Sequence, residues 1–400
     1  MLKRIEITHL VPGMFIQEFC GSWLEHPFWR SNFLLTDPED IRKIRESVVR
    51  EVWIDTVKGK DVAATVTQEA AEHIPPPKLP ESPETRPASM REEMARARKI
   101  CGAARESVTS MFQEARMGKA IDPAQTIALV QDISSSMTRN PGALVSLARL
   151  KTADNYTYMH SVAVSALMIA LARQMHFSDE DVHDIGLAGL LHDIGKMKVP
   201  LEILNKNGKL SDEEFDLMKT HPTQGYTILK ESGTVSAKVM EVCLSHHEKI
   251  DGTGYPNHTR GDAITPFARM GAICDVYDAI TSVRPYKNGW DPAESLHRMA
   301  EWHGHLDMYL FRAFVKSLGI YPIGSLVRLN SGRMGVVTEQ SPRSLLTPRV
   351  RVFFSAKSKT RIQPELIDLG RPNCPEKIVA REEPENWNFS DLDHLWAIPA

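Results

Sequence analysis

The first 60 residues alternate apolar and polar positions in short runs. Residues 4–7 and 52–57 follow a two-residue period, which is typical of half-buried strands. Between them, residues 38–49 repeat apolar positions at helical spacing, with acidic residues in the first turn and Asp37 as the expected N-cap. This order of elements predicts a small α+β domain over residues 1–60, to which the pattern assigns no role.

A change of composition separates this domain from the rest of the chain. Six prolines fall between Pro75 and Pro87 among polar residues, which predicts an exposed, extended linker over residues 61–90. Residues 91–115 are then rich in charge at helical spacing. This leading helix has two interpretations: a solvated connecting helix, or a helix that transmits a signal or pairs two chains.

Helical periodicity dominates residues 120–320, which are interrupted by loops that glycine and proline mark. From Gly324 the pattern returns to alternation around a glycine-containing turn, which predicts a β-rich segment over residues 321–400. The predicted fold class is therefore mainly α. A helical bundle with its leading helix occupies residues 91–320, preceded by a small α+β domain and followed by a small β-rich C-terminal segment.

Composition and charge limit the number of domains, the classes of partner and the cellular compartment that we expect for the protein. With 400 residues, 42% apolar and 25% charged, the chain suits two or three domains. A formal net charge of −3 gives no sign of a duplex nucleic-acid partner. The five cysteines form no C-x-x-C pair, which argues against a disulfide framework and indicates a reducing, cytoplasmic setting. We expect no secretory leader and no membrane span, since no apolar run reaches roughly 20 residues.

Histidines stand out because several lie on apolar stripes of predicted helices. His192 shares a stripe with Ile185, and His160 shares one with Val164. A lone histidine on such a stripe is more often a satisfied core residue than a metal ligand. For His192, metal binding and a core role are equally weighted, because a His192-Asp193 pair followed by Gly195 and Lys196 is a rarer pattern than a lone histidine.

Three more histidines lie at or near predicted helix ends. His221 follows a helical stretch whose start, Ser211 and Glu214, has the form of a capping box. His246 and His247 end another helix, and two adjacent inward-facing imidazoles are hard to explain as packing, since unpaired buried polar atoms are costly. A shared cation resolves this problem, because neutral imidazole is a good ligand for transition metals.

Two aspartates lie in the apolar helical stretch that follows. Asp275 and Asp278 are three residues apart on neighbouring parts of one face, and a buried carboxylate needs a partner. We expect one of them to bind a metal and the other to orient it or a basic neighbour. With Asp193 and the histidines, the set is too large for a single four-coordinate zinc. It predicts two metals in one pocket, an arrangement suited to phosphodiester hydrolysis.

Three segments together resemble the signatures of the HD-GYP family. Residues 192–196 spell HDIGK, like the core of the HD superfamily, and residues 246–256 spell HHEKIDGTGYP, like the HHExxDGxGYP signature. Residues 275–286 spell DVYDAITSVRPY and are similar to the third signature. The resemblance covers about residues 150–320 in the family's order, and residues 1–60 resemble a small domain often found ahead of HD-GYP domains.

The resemblance implies an HD-type helical bundle that hydrolyses cyclic di-GMP to linear pGpG or GMP. It implies two divalent transition metals, iron or manganese before zinc, nickel or cobalt. The implied metal ligands are His160, His192, Asp193, His221, His246, His247 and Asp275. Asp193 would bridge the two metals. The implied catalytic residues are His192, Asp193 and Lys196, with the Lys196 ammonium at the scissile phosphate.

The resemblance also implies residues that hold the substrate. The implied substrate contacts are Lys196, Tyr255, Arg284 and Lys287, and the implied supporting residues are Gly252, Gly254, Pro256 and Asp278. For the two glycines and the proline, plain turn chemistry is the alternative. For Arg284 the alternative is a surface position or an ion pair with Asp278.

One departure from the family concerns Tyr156. Some members carry a glutamate one helical turn before the first histidine and bind a third metal there. A phenol, with a pKa of about 10, is a poor substitute for that glutamate at neutral pH. We therefore expect a two-metal site, which leaves pGpG and GMP open as final products.

Other functions compete with hydrolysis of cyclic di-GMP. One is hydrolysis of another nucleotide phosphoester, against which the GYP segment argues. The other is a module that senses cyclic dinucleotides or binds a partner such as a diguanylate cyclase; a second copy of the chain is a further expected partner. In the N-terminal domain, the aromatic and imidazole side chains are most simply interpreted as packing of a small core, namely His9, Trp23, His26 and Trp29.

Overall fold

The computed structural model describes residues 2–20, 33–46, 50–61, 86–118, 123–149, 156–206, 208–282, 289–341, 344–389 and 391–397. The chain divides into two compact units, Met1–Glu81 and Ser82–Ala400. Residues 62–85, which hold most of the predicted linker, lie outside the described residues.

The first unit is an antiparallel sheet with one helix. Its strands are β1 (Leu2–Glu6), β2 (Phe15–Cys20), β3 (Phe33–Leu34) and β4 (Glu51–Asp55), in the order β1-β4-β2-β3. Helix α1 (Pro38–Glu46) starts directly after Asp37. Its Ile41 and Ile44 share a core with Ile16 and Val52, which confirms the α+β prediction. His9 is half-buried, whereas Trp23, His26 and Trp29 lie outside the described residues.

Helices dominate the second unit. In chain order they are α2 (Met90–Arg116), α3 (Pro123–Arg139), α4 (Pro141–Arg149), α5 (Tyr156–Gln174), α6 (Asp179–Leu191), α7 (Leu201–Leu204), α8 (Asp212–Met218), α9 (His221–Ser232), α10 (Ala237–Ser245), α11 (Pro266–Thr281), α12 (Pro292–Glu301) and α13 (Met308–Leu318). A short 3-10 turn at Ile194–Lys198 joins α6 to α7. Among the described helices, none combines the length and apolarity needed to cross a membrane.

Helix α5 forms the centre of this bundle. Every residue from 159 to 172 is buried, and the helix packs against α4, α6, α11 and α13. Its contact with α6 is close, because a Cβ on Gly189 would lie 2.7 Å from the Ser165 Cα. The Ser165 hydroxyl also donates a hydrogen bond to the Gly186 carbonyl at 2.7 Å. This close approach packs the C-terminal part of α6 directly against the middle of α5.

Helix α2, the predicted leading helix, is part of the bundle on one face and solvated on the other. Ala97, Ala104 and Val108 are fully buried at helical spacing. The buried Glu93 carboxylate accepts a hydrogen bond from the Arg139 Nε at 2.7 Å. A capping box starts the helix at Ser89, and the capping box predicted at Ser211 starts α8, which confirms that expectation.

An antiparallel sheet follows the bundle. Its strands are β5 (Leu326–Leu329), β6 (Arg333–Glu339), β7 (Arg349–Ser355), β8 (Thr360–Asp368) and β9 (Ile378–Arg381), in the order β8-β7-β6-β5-β9. Helix α14 (Leu392–Ala397) places Trp396 in a core with Phe353 and Met334. The mainly α class, with a β-rich C-terminal segment, is therefore confirmed.

Candidate metal centre

Seven side chains converge where the ends of α6, α9 and α10 meet α5 and α11. The seven are His160, His192, Asp193, His221, His246, His247 and Asp275, which are the residues predicted as ligands. His192 ends α6 and Asp193 precedes the 3-10 turn, so the chain bends at this pair and directs both side chains inward. His221 begins α9, and His246 ends α10.

These side chains form two groups. His160, His192 and Asp275 offer ligand atoms that all lie within 4.8 Å of one another, and so do Asp193, His221, His246 and His247. The Asp193 Oδ2 lies 3.4 Å from both the His160 and the His192 Nε2. The Asp193 Oδ1 lies 3.3 Å from the His221 Nε2. One carboxylate therefore stands between the two groups, with one oxygen toward each.

For three of the five imidazoles, hydrogen bonds to backbone carbonyls fix which nitrogen faces the centre. The Nδ1 atoms of His192 and His221 each donate to a carbonyl three residues earlier, both at 2.8 Å, and that of His246 does so at 2.9 Å. A carbonyl can only accept, so these Nδ1 atoms carry protons and the Nε2 lone pairs point inward. Carbonyls of a last helical turn lack helical partners, which is why a histidine at a helix end finds one.

With their Nδ1 protons on backbone carbonyls, neutral His221 and His246 face each other through Nε2 atoms that carry no proton. The Nε2 atoms of His160 and His192 are 3.2 Å apart, and those of His221 and His246 are 3.3 Å apart. The buried Asp193 Oδ1 has no hydrogen-bond partner. Facing lone pairs and an orphaned carboxylate oxygen are costly without a cation between them. The nitrogen and oxygen donor set thus fits divalent transition metals.

Ionisation of the carboxylates supports the same fit. Burial opposes ionisation of Asp193, but Lys196 and His192 outweigh it and hold its pKa well below its usual range. Burial also opposes ionisation of Asp275, and the hydrogen bond with His160 reverses the effect, so its pKa is low as well. Both carboxylates are anionic at neutral pH and available to a metal.

Three of the imidazoles have shifted pKa values: those of His246 and His247 are lowered, and that of His160 is raised. Burial lowers the pKa of His246 and of His247 well below the usual value, so both are neutral at pH 7. Burial also opposes protonation of His160, but its hydrogen bonds with three aspartates outweigh it and raise its pKa to about 10. Without a metal, a proton on His160 is the cation that balances the buried carboxylates.

Asp278 lies beside the cluster rather than in it. Its Oδ2 is 2.6 Å from the His160 Nδ1, on the side of the ring away from the other ligands. This contact orients His160, which is the supporting role that the spacing of the two aspartates in α11 predicts.

Lys196 and Tyr255 line the approach to the cluster. The Lys196 Nζ lies 2.5 Å from the Asp193 Oδ2, and its side chain is 24% exposed, so the ammonium links the buried carboxylate to the surface. The Tyr255 ring packs on the His247 ring with centroids 4.7 Å apart. Burial raises the pKa of the Tyr255 phenol, which keeps it neutral.

The loop after His247 is shaped by glycines for two different reasons. Gly252 has a φ of 79°, a turn conformation that favours glycine. Gly254 instead lies so close to the chain that a Cβ would be 2.4 Å from the Lys249 backbone nitrogen. The Tyr255–Pro256 peptide bond is cis.

Sequence reasoning missed two residues that build the site. Glu248 is buried and accepts hydrogen bonds from the backbone nitrogens of Asn257 at 2.7 Å and Thr259 at 3.1 Å, which closes the loop. Its place in the HHE triplet was the available signal. The buried Cys243 thiol donates to the His192 carbonyl at 3.2 Å, and no pattern in the sequence pointed to it.

Part of the predicted site lies outside the described residues. Arg284 and Lys287, the expected phosphate contacts, belong to residues 283–288, which are not described. Tyr156 starts α5, but its side chain is likewise outside the described set.

Comparisons with known proteins bear on both units. The family model of the HD domain matches residues 125–310, and that of a domain of unknown function, DUF3391, matches residues 2–126. A cyclic di-GMP phosphodiesterase of Pseudomonas aeruginosa is 57% identical over 397 residues, which are 99% of this chain and 96% of the relative.

Other relatives match the helical part. The cyclic di-GMP phosphodiesterase response regulator RpfG of Xanthomonas campestris is 36% identical over 46% of this chain and 50% of its own length. A 3′3′-cGAMP-specific phosphodiesterase of Vibrio cholerae is 36% identical over 41% of this chain and 38% of its own length. On its near full-length similarity to the Pseudomonas protein and its HD signatures, the chain belongs to the HD-domain family of cyclic di-GMP phosphodiesterases, with a DUF3391 domain ahead of the HD domain.

Proposed function

We propose that this protein is a metal-dependent phosphodiesterase that hydrolyses cyclic di-GMP. The observation that carries the proposal is the pair of ligand groups with the Asp193 carboxylate between them. Paired metals are a recurring solution for phosphodiester hydrolysis. The relative named for cyclic di-GMP, at 57% identity over 96% of its length, supports the choice of substrate.

Two divalent metals fit the two groups. His160, His192 and Asp275 would hold one metal, and His221, His246 and His247 the other, with Asp193 bound to both. The mixed nitrogen and oxygen donors favour iron or manganese, with zinc, nickel and cobalt as alternatives. When bound, the metals supply a hydroxide nucleophile and neutralise charge that develops on the phosphate.

The protein's own side chains position the metal-binding atoms and the substrate, and they neutralise charge on the phosphate. The Nδ1 hydrogen bonds hold the rings of His192 and His221 in place, so that these rings need not reorient when a metal binds. The partly exposed Lys196 ammonium is the group we assign to the scissile phosphate, where negative charge accumulates. The Tyr255 ring offers an apolar face beside His247 for the substrate. Arg284 and Lys287 stay predicted phosphate contacts.

The expected main product is linear pGpG. A two-metal site with Tyr156 in place of an additional carboxylate supports one hydrolytic step better than two. Rapid conversion to GMP would contradict this assignment of Tyr156 while leaving the phosphodiesterase intact.

A mixed cyclic dinucleotide is the second candidate substrate. Relatives of Vibrio cholerae named 3′3′-cGAMP-specific phosphodiesterases are 34–36% identical over 41–42% of this chain. The higher similarity to the cyclic di-GMP enzyme favours cyclic di-GMP. A second copy of the chain and a diguanylate cyclase stay predicted protein partners.

Competition between the two substrates tests the choice. Equal concentrations of cyclic di-GMP and 3′3′-cGAMP are incubated with Mn²⁺-loaded protein, and both are followed by chromatography. We expect cyclic di-GMP to disappear at least about tenfold faster, which corresponds to roughly 1.4 kcal/mol of transition-state discrimination. Faster loss of 3′3′-cGAMP would overturn the substrate assignment. Loss of neither, in protein with measured metal, would favour the sensing or partner-binding function.

A further inference from the structure

The loop of residues 248–264, which carries Tyr255 beside the metal centre, is closed at its base by backbone hydrogen bonds. The Gly261 nitrogen donates to the Ile250 carbonyl at 3.0 Å, so the two ends of the loop meet. The Ile250 nitrogen donates in turn to the His305 carbonyl at 3.3 Å. The segment that precedes α13 therefore braces the base of this loop.

One arginine of α11 ties the end of the loop to the same brace. The Arg269 Nε donates to the Ile264 carbonyl at 2.7 Å, and its Nη2 donates to the Gly261 carbonyl at 3.1 Å and to the exposed Asp262 carboxylate at 3.0 Å. Its Nη1 donates to the Asp307 Oδ2 at 2.8 Å, and Asp307 is the N-cap of α13. The planar guanidinium thus binds two loop carbonyls and the cap carboxylate at once, which a single ammonium cannot do.

Arg269 also connects the loop with the helix that carries a metal ligand. It lies on α11 together with Asp275, and its side chain is only 14% exposed. Within the loop, the Tyr255 nitrogen donates to the His247 carbonyl at 3.2 Å, and the Tyr255 ring packs on the His247 ring. A loop carbonyl bound to a guanidinium on a packed helix cannot shift without breaking a charge-assisted hydrogen bond. The arginine therefore fixes the loop relative to the metal centre.

We propose that Arg269 is a positioning residue for substrate binding: it holds the loop of residues 248–264 so that the Tyr255 ring stays over His247. The inference rests on the proposed function, since it concerns binding of cyclic di-GMP at the same centre. Arg269 acts through the loop rather than on the metal ligands, so its loss should weaken substrate binding and leave metal binding intact.

Steady-state kinetics of Mn²⁺-loaded Arg269→Lys tests this role. The lysine keeps the charge but not the planar fork, so we expect KM for cyclic di-GMP to rise at least about fivefold, with kcat within about twofold and metal content unchanged. The matched control is Arg173→Lys. The Arg173 guanidinium also holds a carbonyl, that of Ser134 at 3.0 Å, but about 20 Å along α5 from His160. An unchanged KM in Arg269→Lys, or an equal rise in the control, would overturn the proposal.

A double-substitution cycle with Tyr255→Ala tests whether Arg269 acts through the tyrosine. Once the ring is gone, its position no longer matters, so Arg269→Lys should change KM by less than about twofold in the Tyr255→Ala background. Effects on KM that multiply would contradict a route through Tyr255.

Hydrogen exchange followed by mass spectrometry examines the loop without any reaction. Amides of residues 250–262 should exchange at least about fivefold faster in Arg269→Lys than in the unchanged chain, whereas Arg173→Lys should leave them unchanged. Equal exchange in the unchanged chain and Arg269→Lys would show that Arg269 does not hold the loop. Faster exchange in Arg269→Lys, with no hydrolysis of cyclic di-GMP by the unchanged chain, would remove the proposed function but support the hold on the loop.

Discussion

At the scale of single residues, the Asp193 carboxylate is the group that contacts both sets of candidate metal ligands. It stands between both ligand groups, and its Oδ1 is buried without a hydrogen-bond partner. Asp193→Asn removes the charge while keeping the shape. We expect both metals to be lost or weakened and hydrolysis to fall at least about 100-fold, because an amide is a poor bridging ligand.

Metal content by elemental analysis, together with product formation, checks this expectation. The matched control is Asp216→Asn, whose side chain is 70% exposed, and it should leave metal content and rate unchanged. Full metal content and full rate in Asp193→Asn would show that Asp193 is not a shared ligand.

The raised pKa of His160 makes metal binding depend on pH. In the metal-free protein its pKa is about 10, so a metal must displace a proton at neutral pH. Asp193 and Asp275 are already ionised, and His246 and His247 are already neutral, so none of these four titrates near pH 7. Affinity should therefore rise with pH toward about 10, and fall as pH falls.

Titration of metal-free protein with Mn²⁺ at several pH values between about 6.5 and 8.5 measures this effect. One displaced proton gives an affinity gain of about tenfold per pH unit, and proton release appears as a buffer-dependent heat. An affinity that does not change with pH would mean that His160 is neutral before the metal arrives.

Burial and clustering of the candidate ligands could be predicted from the sequence, whereas metal binding by them stays a prediction. His246 shares a stripe with Val239 and Val242, all three are buried, and the seven expected ligands do lie together. The partners of the Nδ1 atoms could not be predicted in the same way. They are backbone carbonyls at helix ends, whose positions depend on the residue at which each helix stops.

At the scale of elements, the contact between the 3-10 turn and α9 sets the geometry of the site. A Cβ on Gly195 would lie 1.9 Å from the His221 carbonyl oxygen and 2.4 Å from the Gly225 backbone nitrogen. Backbone atoms cannot yield as a flexible side chain does. Gly195 thus allows the turn that carries Asp193 and Lys196 to lie directly on the helix that carries His221.

Gly195→Ala tests this contact. We expect a loss of about 1–3 kcal/mol in unfolding free energy and a weaker metal site, because the turn and α9 must separate. Gly102→Ala in α2 is the matched control, since a Cβ there meets nothing within 4 Å. It should raise stability by about 0.5–1 kcal/mol through helix propensity. If the two substitutions change the free energy of unfolding equally in denaturant, the close contact of Gly195 with α9 does not limit stability.

Contacts within the loop of residues 248–259 could not be predicted from the sequence. Gly252 has a positive φ, so the turn conformation expected as the alternative for the loop glycines explains this position. Gly254 is explained by close approach to the Lys249 nitrogen, a long-range property of the folded loop that no local pattern reveals. Likewise the hydrogen bonds of Glu248 to Asn257 and Thr259 depend on how the loop closes.

At the scale of the whole molecule, all seven clustered ligands and their supporting contacts lie in the second unit, Ser82–Ala400. A chain that starts at Ser82 retains α2 and its buried face, including Glu93. We expect it to fold and to bind metal as the full chain does, measured by thermal unfolding and Mn²⁺ titration. Loss of metal binding in a folded Ser82–Ala400 chain would show that the first unit contributes to the site.

The overall class was predictable because each part of the chain has its own period. Alternation, helical spacing and alternation again follow one another, and the observed sheets and bundle follow the same order. The position of helix α5 at the centre of the bundle could not be predicted from the sequence. The helix is buried all round rather than on one stripe, so its central place could not be inferred from a one-sided pattern.

We expect two metals, held by the seven ligands, to make this protein a cyclic di-GMP phosphodiesterase. The most direct test is to titrate metal-free protein with Mn²⁺ or, anaerobically, Fe²⁺ and to follow cyclic di-GMP and its products by chromatography at each step. We expect activity to rise until about two equivalents are bound, with pGpG accumulating, and none in the His192→Ala/Asp193→Ala variant. Full activity at one equivalent would contradict a two-metal site, and no hydrolysis with two metals bound would contradict the phosphodiesterase.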